Sequence, residues 1–230
     1  MKAFVKGDVL LVGGFSSTLS DFDLLIAEMK KWCNPIVILL PEGDFPSVVD
    51  SIRDFIDGMQ LPPLPIIGYS MGGRVVLELL RTYPEIFTNV ICFSSRLHVP
   101  EERVEFETLM ETQLRNLELE SFFDWWYKLP IFANFRPNRG LLHEKVTLGK
   151  EILLSQCCHL KITKQKKLAP PFALPLHLIY GGKDPLLNEV KTCFKDSLEA
   201  IFVHDIADSG HLIHLEQPAI LSERIKKVLR

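Results

Sequence analysis

The chain has 230 residues, 47% of them hydrophobic and 24% charged, enough to build the core of one α/β domain and too few for two comfortable ones. A formal net charge of -3 leaves no basic field for neutralising the phosphates of a duplex, so nucleic acid is set aside as a partner and a small molecule is favoured. The cysteines, Cys33, Cys92, Cys157, Cys158 and Cys193, make neither a C-x-x-C pair nor a zinc-finger spacing with histidine, a pattern that fits a reducing cytoplasm and no metal site.

Met1 to Val12 carries two lysines and then apolar residues, but Gly7-Asp8 interrupts the run, so it reads as a first core strand, Val9 to Val12, rather than a leader. The glycine turn Val12-Gly13-Gly14-Phe15-Ser16 follows, then helical spacing over Asp21 to Trp32. Strand-like Ile36 to Leu40, helical Ser47 to Met59, strand-like Leu64 to Ile67 and helical Gly72 to Tyr83 come next, with Pro84 as the stop. After the strand-like run Val90 to Phe93 the alternation breaks from about 95 to 170, and it resumes with Leu176 to Tyr180, Asn188 to Leu198, Ala200 to Val203 and Gln217 to Arg230. The strand candidates are apolar on both faces, which predicts a mostly parallel sheet of about six strands flanked by helices on both sides. No stretch approaches the roughly 18 apolar residues of a membrane-spanning helix.

The interrupting segment reads as a helical cap inserted into a single α/β domain spanning 1–230. Pro100 to Glu120 is acidic and amphipathic, and Ser121 to Phe135 concentrates Phe122, Phe123, Trp125, Trp126, Tyr127, Phe132 and Phe135. Such rings form the core of the insertion, or roof a pocket over the sheet, or divide between the two roles. The lysines within Lys161 to Lys167 read as a solvated helix end or loop.

Gly68-Tyr69-Ser70-Met71-Gly72 has the form G-x-S-x-G between a strand candidate and a helix candidate, where a sharp turn would lift the Ser70 hydroxyl above the strand end. A serine hydroxyl is a weak nucleophile until an imidazole takes its proton. Asp184, in Tyr180-Gly181-Gly182-Lys183-Asp184-Pro185, and His211, in Asp208-Ser209-Gly210-His211, each follow a strand candidate and complete the order Ser, Asp, His. Asp205 and Asp208 compete for the acid's place, and His214 is the rival histidine; His98, His143, His159, His177 and His204 have no comparable placement. An oxyanion site would use the backbone amides of Met71 and Phe15.

These residues resemble the α/β-hydrolase superfamily over nearly the whole chain, beginning at what would be its third strand. Within it the chain is most similar to the succinyl-hydroxy-cyclohexadiene-carboxylate synthases of menaquinone biosynthesis (MenH). The stretches that carry the resemblance are Gly68-Tyr69-Ser70-Met71-Gly72-Gly73-Arg74-Val75, Phe123-Asp124-Trp125-Trp126-Tyr127-Lys128-Leu129-Pro130-Ile131-Phe132 and Gly210-His211-Leu212-Ile213-His214-Leu215-Glu216-Gln217-Pro218. In that group the Ser-His-Asp set acts as a base and pyruvate is eliminated without an acyl-enzyme. The resemblance implies a substrate contact for Arg74, whose guanidinium suits a carboxylate, and the expected substrate-binding set is Tyr69, Arg74, Trp125 and Trp126.

The chain departs from the group at Gly13, where a histidine is usual, and at Phe106, where a second carboxylate-binding arginine is expected. A third arginine, expected in the cap, has no direct counterpart; Arg136, Arg139 and Lys145 stand in the corresponding stretch. The expected activity is hydrolysis of a small acyl ester or thioester, free or on an acyl carrier, with no cofactor. MenH-like elimination is the alternative, and a non-catalytic binding protein of the same fold is a second one.

Overall fold

The computed structural model describes residues 7–96, 103–160, 173–193 and 200–230. Six strands, β1 (Asp8–Val12), β2 (Asn34–Ile38), β3 (Leu64–Tyr69), β4 (Phe87–Phe93), β5 (Leu176–Gly181) and β6 (Ile201–Ile206), form one parallel sheet in the order β2-β1-β3-β4-β5-β6. The inner strands are buried along most of their length because helices cover both faces of the sheet. Pro35, which cannot donate to a ladder, lies in the edge strand β2, where one side needs no partner.

Helices α1 (Asp23–Met29), α2 (Phe45–Gly58) and α3 (Met71–Thr82) connect the first strands. Between β4 and β5 lie α4 (Arg103–Asn116), α5 (Leu119–Trp126), α6 (Arg139–Thr147) and α7 (Lys150–Leu160), and after β5 come α8 (Pro185–Cys193), α9 (Ile213–Glu216) and α10 (Pro218–Val228). Within the insertion α4 packs on α7 and α5 on α6. The helix starts have local causes: the Asp44 carboxylate accepts from the Ser47 amide at 3.0 Å ahead of α2, and the Asn138 side chain accepts from the Leu141 amide at 2.8 Å ahead of α6.

Some boundaries differ from expectation. The strand expected at Ile36 to Leu40 runs from Asn34 to Ile38, because it pairs with β1 from Asp8↔Asn34 to Val12↔Ile38 and β1 offers no partner beyond. The helix expected from Asp21 begins at Asp23, after a 3-10 turn over Leu19–Phe22 in which the Asp21 carboxylate accepts the Thr18 amide at 2.7 Å. At the C-terminal end Pro218 starts a new helix and separates α10 from the short α9. The opening residues Met1 to Lys6, the pair Glu101-Glu102, His98, the lysines of 161–167 and the stretch of the expected helix from 194 to Leu198 lie outside the described residues, as do the side chains of Cys158, His159 and Cys193.

The topology positions a site. From β1 the chain moves outward to β2 and then returns to the other side of β1 at β3, so the loops leaving β1 and β3 part in opposite directions at adjacent carboxyl ends. In open α/β sheets such a switch point is where a crevice forms.

Candidate active site

β3 ends at Tyr69 and α3 begins at Met71, so Ser70 alone makes the turn. Its backbone sits at φ 50, ψ -113, a conformation side chains disfavour. The turn is tight enough to require bare neighbours: a Cβ at Gly68 would stand 2.4 Å from Gly73 Cα, and one at Gly72 would stand 2.2 Å from the Gly13 carbonyl oxygen. The Gly72 contact also brings the first turn of α3 against the loop after β1. The strained peptide is held from below by its neighbours: the Ser70 amide donates to Phe93 O at 3.0 Å and Ser95 Oγ donates to Ser70 O at 2.6 Å.

His211 Nε2 lies 3.2 Å from Ser70 Oγ, and His211 Nδ1 lies 2.9 Å from Asp184 Oδ2. With Nδ1-H donating to the carboxylate, Nε2 carries the lone pair and accepts the Ser70 proton. The other oxygen of Asp184 accepts the Leu186 amide at 3.0 Å, which fixes the carboxylate plane. The competing acids do not reach the imidazole: Asp205 is exposed, and Asp208 is exposed and pairs with Lys183 at 3.1 Å. The rival His214 is buried beside Tyr69, with ring centroids 4.3 Å apart, and its ring lies close to parallel with that of Phe22. Burial, with Lys145 and His211 adding to it, holds its pKa well below the ordinary histidine value.

Glu216 was not foreseen from the sequence. Its carboxylate accepts the Gly210 amide at 2.8 Å and the Leu212 amide at 3.1 Å, bracketing His211 on both sides. An acid one short helix beyond the histidine was the available signal.

The loop after β1 leaves one backbone amide open. The Gly13 amide donates to Ile38 O, Gly14 to Ser17 Oγ, Ser16 to Gln156 Oε1, Ser17 to Gly14 O and Thr18 to Asp21 Oδ2. Among Gly13 to Thr18, Phe15 is the residue whose amide has no acceptor in the described protein. A Cβ at Gly14 would lie 3.1 Å from Ser70 Cβ, so this loop runs directly against Ser70. The Met71 amide, at the first position of α3, has no intrahelical acceptor either.

A cavity of about 230 Å³ opens over Ser70 and His211. Its apolar wall includes Phe15, Phe106, Trp126, Tyr127, Ile131 and Phe132, while Phe122 and Phe123 are fully buried in the core of the insertion. The aromatic run thus divides between the two roles set out for it. Of the expected substrate contacts, Tyr69, Arg74 and Trp126 line the cavity; Trp125 does not, and packs instead against Phe106 and Phe122 at centroid distances of 6.4 and 5.8 Å. The two tryptophans are consecutive on α5 and therefore point about 100° apart, so they do not share one face.

The cations of the cavity are matched by carboxylates. Arg74 Nη1 lies 3.7 Å from Glu107 Oε1, Arg96 Nη1 lies 2.6 Å from Glu189 Oε2, and Lys145 Nζ is bonded to Asp21 Oδ2. Burial lowers the pKa of Arg74 and of Lys145, while Glu107 and Asp21 respectively oppose the shift. Of the three cap cations in the expected stretch, Lys145 lines the cavity; Arg136 and Arg139 are exposed. Among the described residues no group of three or more His, Cys, Asp or Glu side chains is placed to hold a metal ion, and no helix is long and apolar enough to cross a membrane.

Residues 14–218 match the family model described as alpha/beta hydrolase fold. A curated esterase of Escherichia coli, YbfF, is 22% identical, the match covering 96% of this chain and 92% of that one. A 2-succinyl-6-hydroxy-2,4-cyclohexadiene-1-carboxylate synthase of an Enterobacter species is also 22% identical, over 96% of this chain and 91% of its own. Among solved structures, MenH from S. aureus superposes with a TM-score of 0.83 at 20% identity, covering 97% of this chain and 93% of that one.

Proposed function

The chain belongs to the alpha/beta hydrolase fold family, and from that premise we propose that it is a carboxylic ester hydrolase acting through an acyl-enzyme on Ser70. The Ser70 hydroxyl attacks the ester carbonyl carbon as its proton passes to His211 Nε2, and Asp184 stabilises the imidazolium through Nδ1. The amides of Phe15 and Met71 receive the negative charge that develops on the carbonyl oxygen. Collapse of the tetrahedral adduct expels the alkoxide, which takes the proton from His211. Water, deprotonated by the same imidazole, then releases the acid and restores Ser70.

The observation that carries hydrolysis ahead of elimination is the charge balance of the cavity. A synthase substrate with several carboxylates needs several uncommitted cations, because desolvated charge without a partner costs several kcal/mol. Here Arg74, Arg96 and Lys145 each already face a carboxylate, and Phe106 adds an apolar wall. That supports an uncharged acyl group in the cavity. The second reading, MenH-like elimination of pyruvate, is supported by the synthase relatives and by Arg74 lining the cavity.

The test is a screen of short-chain p-nitrophenyl esters and acyl-carrier methyl esters beside the menaquinone intermediate, together with fluorophosphonate labelling. Ester turnover with a burst of one nitrophenol per enzyme, and an adduct mapping to Ser70 that is absent in Ser70→Ala, are expected. Pyruvate release without ester turnover would replace hydrolysis by elimination.

A further inference from the structure

The loop that carries the Phe15 amide is tied to the cap by more than packing. Ser16 has its backbone at φ 55 and is 3% exposed, so its conformation is disfavoured and shielded from water. Both of its backbone polar groups are satisfied from the insertion: Gln156 Oε1 of α7 accepts its N-H at 2.8 Å, and Lys145 Nζ of α6 donates to its carbonyl at 2.6 Å. Lys145 also bonds Asp21, which accepts the Thr18 amide, and Ser20 Oγ bonds the neighbouring Glu144.

These contacts line up. The Lys145 ammonium bonds the carbonyl of the Ser16–Ser17 peptide, and the N-H of that same peptide donates to Gly14 O at 3.2 Å. Gly14 O belongs to the Gly14–Phe15 peptide, whose N-H is the one left open. In a trans peptide the N-H points opposite to the C=O. A positive charge therefore stands at one end of two peptide dipoles joined head to tail, with the Phe15 N-H at the other end. Hydrogen bonds in such a chain polarise one another, each by something like 10–30%.

We propose that Lys145 is a positioning residue for the reaction: working through the Ser16–Ser17 and Gly14–Phe15 peptides, it aims the Phe15 N-H and strengthens it as an oxyanion donor, with Gln156 holding the intervening peptide. The inference rests on the reading of Ser70 as an acyl-transfer nucleophile. It also accounts for a lysine in the cavity that is committed to the backbone rather than open to an anionic substrate. The cap then acts on the chemistry as well as on substrate fit, since α6 and α7 hold the donor in place.

The experiment compares wild type, Lys145→Met, Lys145→Arg, Gln156→Ala and the double variant Lys145→Met/Asp21→Asn, which removes both members of the buried pair. The readouts are KM and kcat for a neutral p-nitrophenyl ester, the inhibition constant of phenylboronic acid as a tetrahedral mimic, and the amide resonance of Phe15 in protein labelled with 15N-phenylalanine. Lys145→Met and the double variant are expected to lose roughly tenfold to hundredfold in kcat and similarly in boronate affinity, with KM within about twofold of wild type. The Phe15 amide proton should move upfield, and Lys145→Arg should recover part of each loss. A double variant that melts with wild type and keeps its kcat and boronate affinity would overturn the proposal. So would a Phe15 resonance unmoved by Lys145→Met, whatever the esters show. A wild-type protein that turns over no ester and takes no label at Ser70 defeats the nucleophile reading itself, and the proposed positioning role of Lys145 falls with it.

Discussion

The geometry of Ser70 predicts that two ways of removing its hydroxyl differ in their consequences for stability. Ser70 holds φ 50 and ψ -113, where a Cβ is crowded and glycine is not. Ser70→Ala keeps the Cβ and hence the strain; Ser70→Gly releases it. Both lose the hydroxyl contact with His211, so their difference isolates the backbone. Strain of this kind costs about 1–3 kcal/mol, of which the greater freedom of glycine in the unfolded chain takes back roughly 0.5–1 kcal/mol. The net expectation is that the glycine variant is more stable than the alanine variant by about 1 kcal/mol. In a chain of this size that is a melting-temperature difference of roughly 2–4 °C. Differential scanning calorimetry of the two variants side by side measures it, while both are expected to lack ester turnover. A glycine variant that melts at or below the alanine variant would show that the turn stores no strain.

Three further outcomes follow from particular side chains. His214 is held neutral by burial, so below about pH 6.5 the unfolded chain binds a proton that the folded chain refuses, and stability falls as pH drops from about 7 toward its folded pKa. The limiting slope is about 1.4 kcal/mol per pH unit, His177 and His204 are shifted in the same direction, and His214→Phe should flatten the melting profile by one proton's worth. Arg74→Met should destabilise by about 3 kcal/mol because it strips that cation from the buried Glu107, and adding Glu107→Gln should recover most of the loss in urea titrations; a single variant as stable as wild type would contradict the pairing. Asp184→Asn should lower kcat for esters by about 10⁴ with little change in KM, because the amide can impose the wrong imidazole tautomer; a loss below tenfold would remove Asp184 from the reaction.

What the sequence made legible was whatever depends on local pattern. The strand candidates are short apolar runs with turn residues after them, and each corresponds to a strand of the sheet, with Ile36 to Leu40 displaced because register is set by the partner strand. The meeting of Ser70, Asp184 and His211 was readable because each sits in the turn or loop that follows such a run, so topology carries them to one edge. Trp125 and Trp126 were indistinguishable by composition, and the direction of α5 separates them. Lys145, Gln156 and Glu189 carry no local signal for their roles, since what matters is the carboxylate or peptide group each meets from a distant segment. Nothing in the spacing of Arg74 revealed that Glu107 would face it.

The placement of backbone strain points to the same edge of the sheet without any appeal to relatives. Outside glycine, positive φ occurs at Ser16, Gln60, Ser70, Ser94 and Asp208 among the described residues. Ser16, Ser70 and Ser94 lie just beyond the carboxyl ends of β1, β3 and β4, which are neighbours in the sheet, and all three line the cavity. Strain costs free energy and persists where surrounding contacts over-determine it. Here those contacts are visible: the cap holds Ser16, Phe93 and Ser95 hold Ser70, and Ile179 O accepts the Ser94 amide at 2.9 Å. Three of the five disfavoured conformations thus gather at three adjacent strand ends, around the cavity onto which Ser70 and His211 open. The same reasoning ties the helices between β4 and β5 to that edge, because their contacts to Ser16 hold the loop that runs against Ser70.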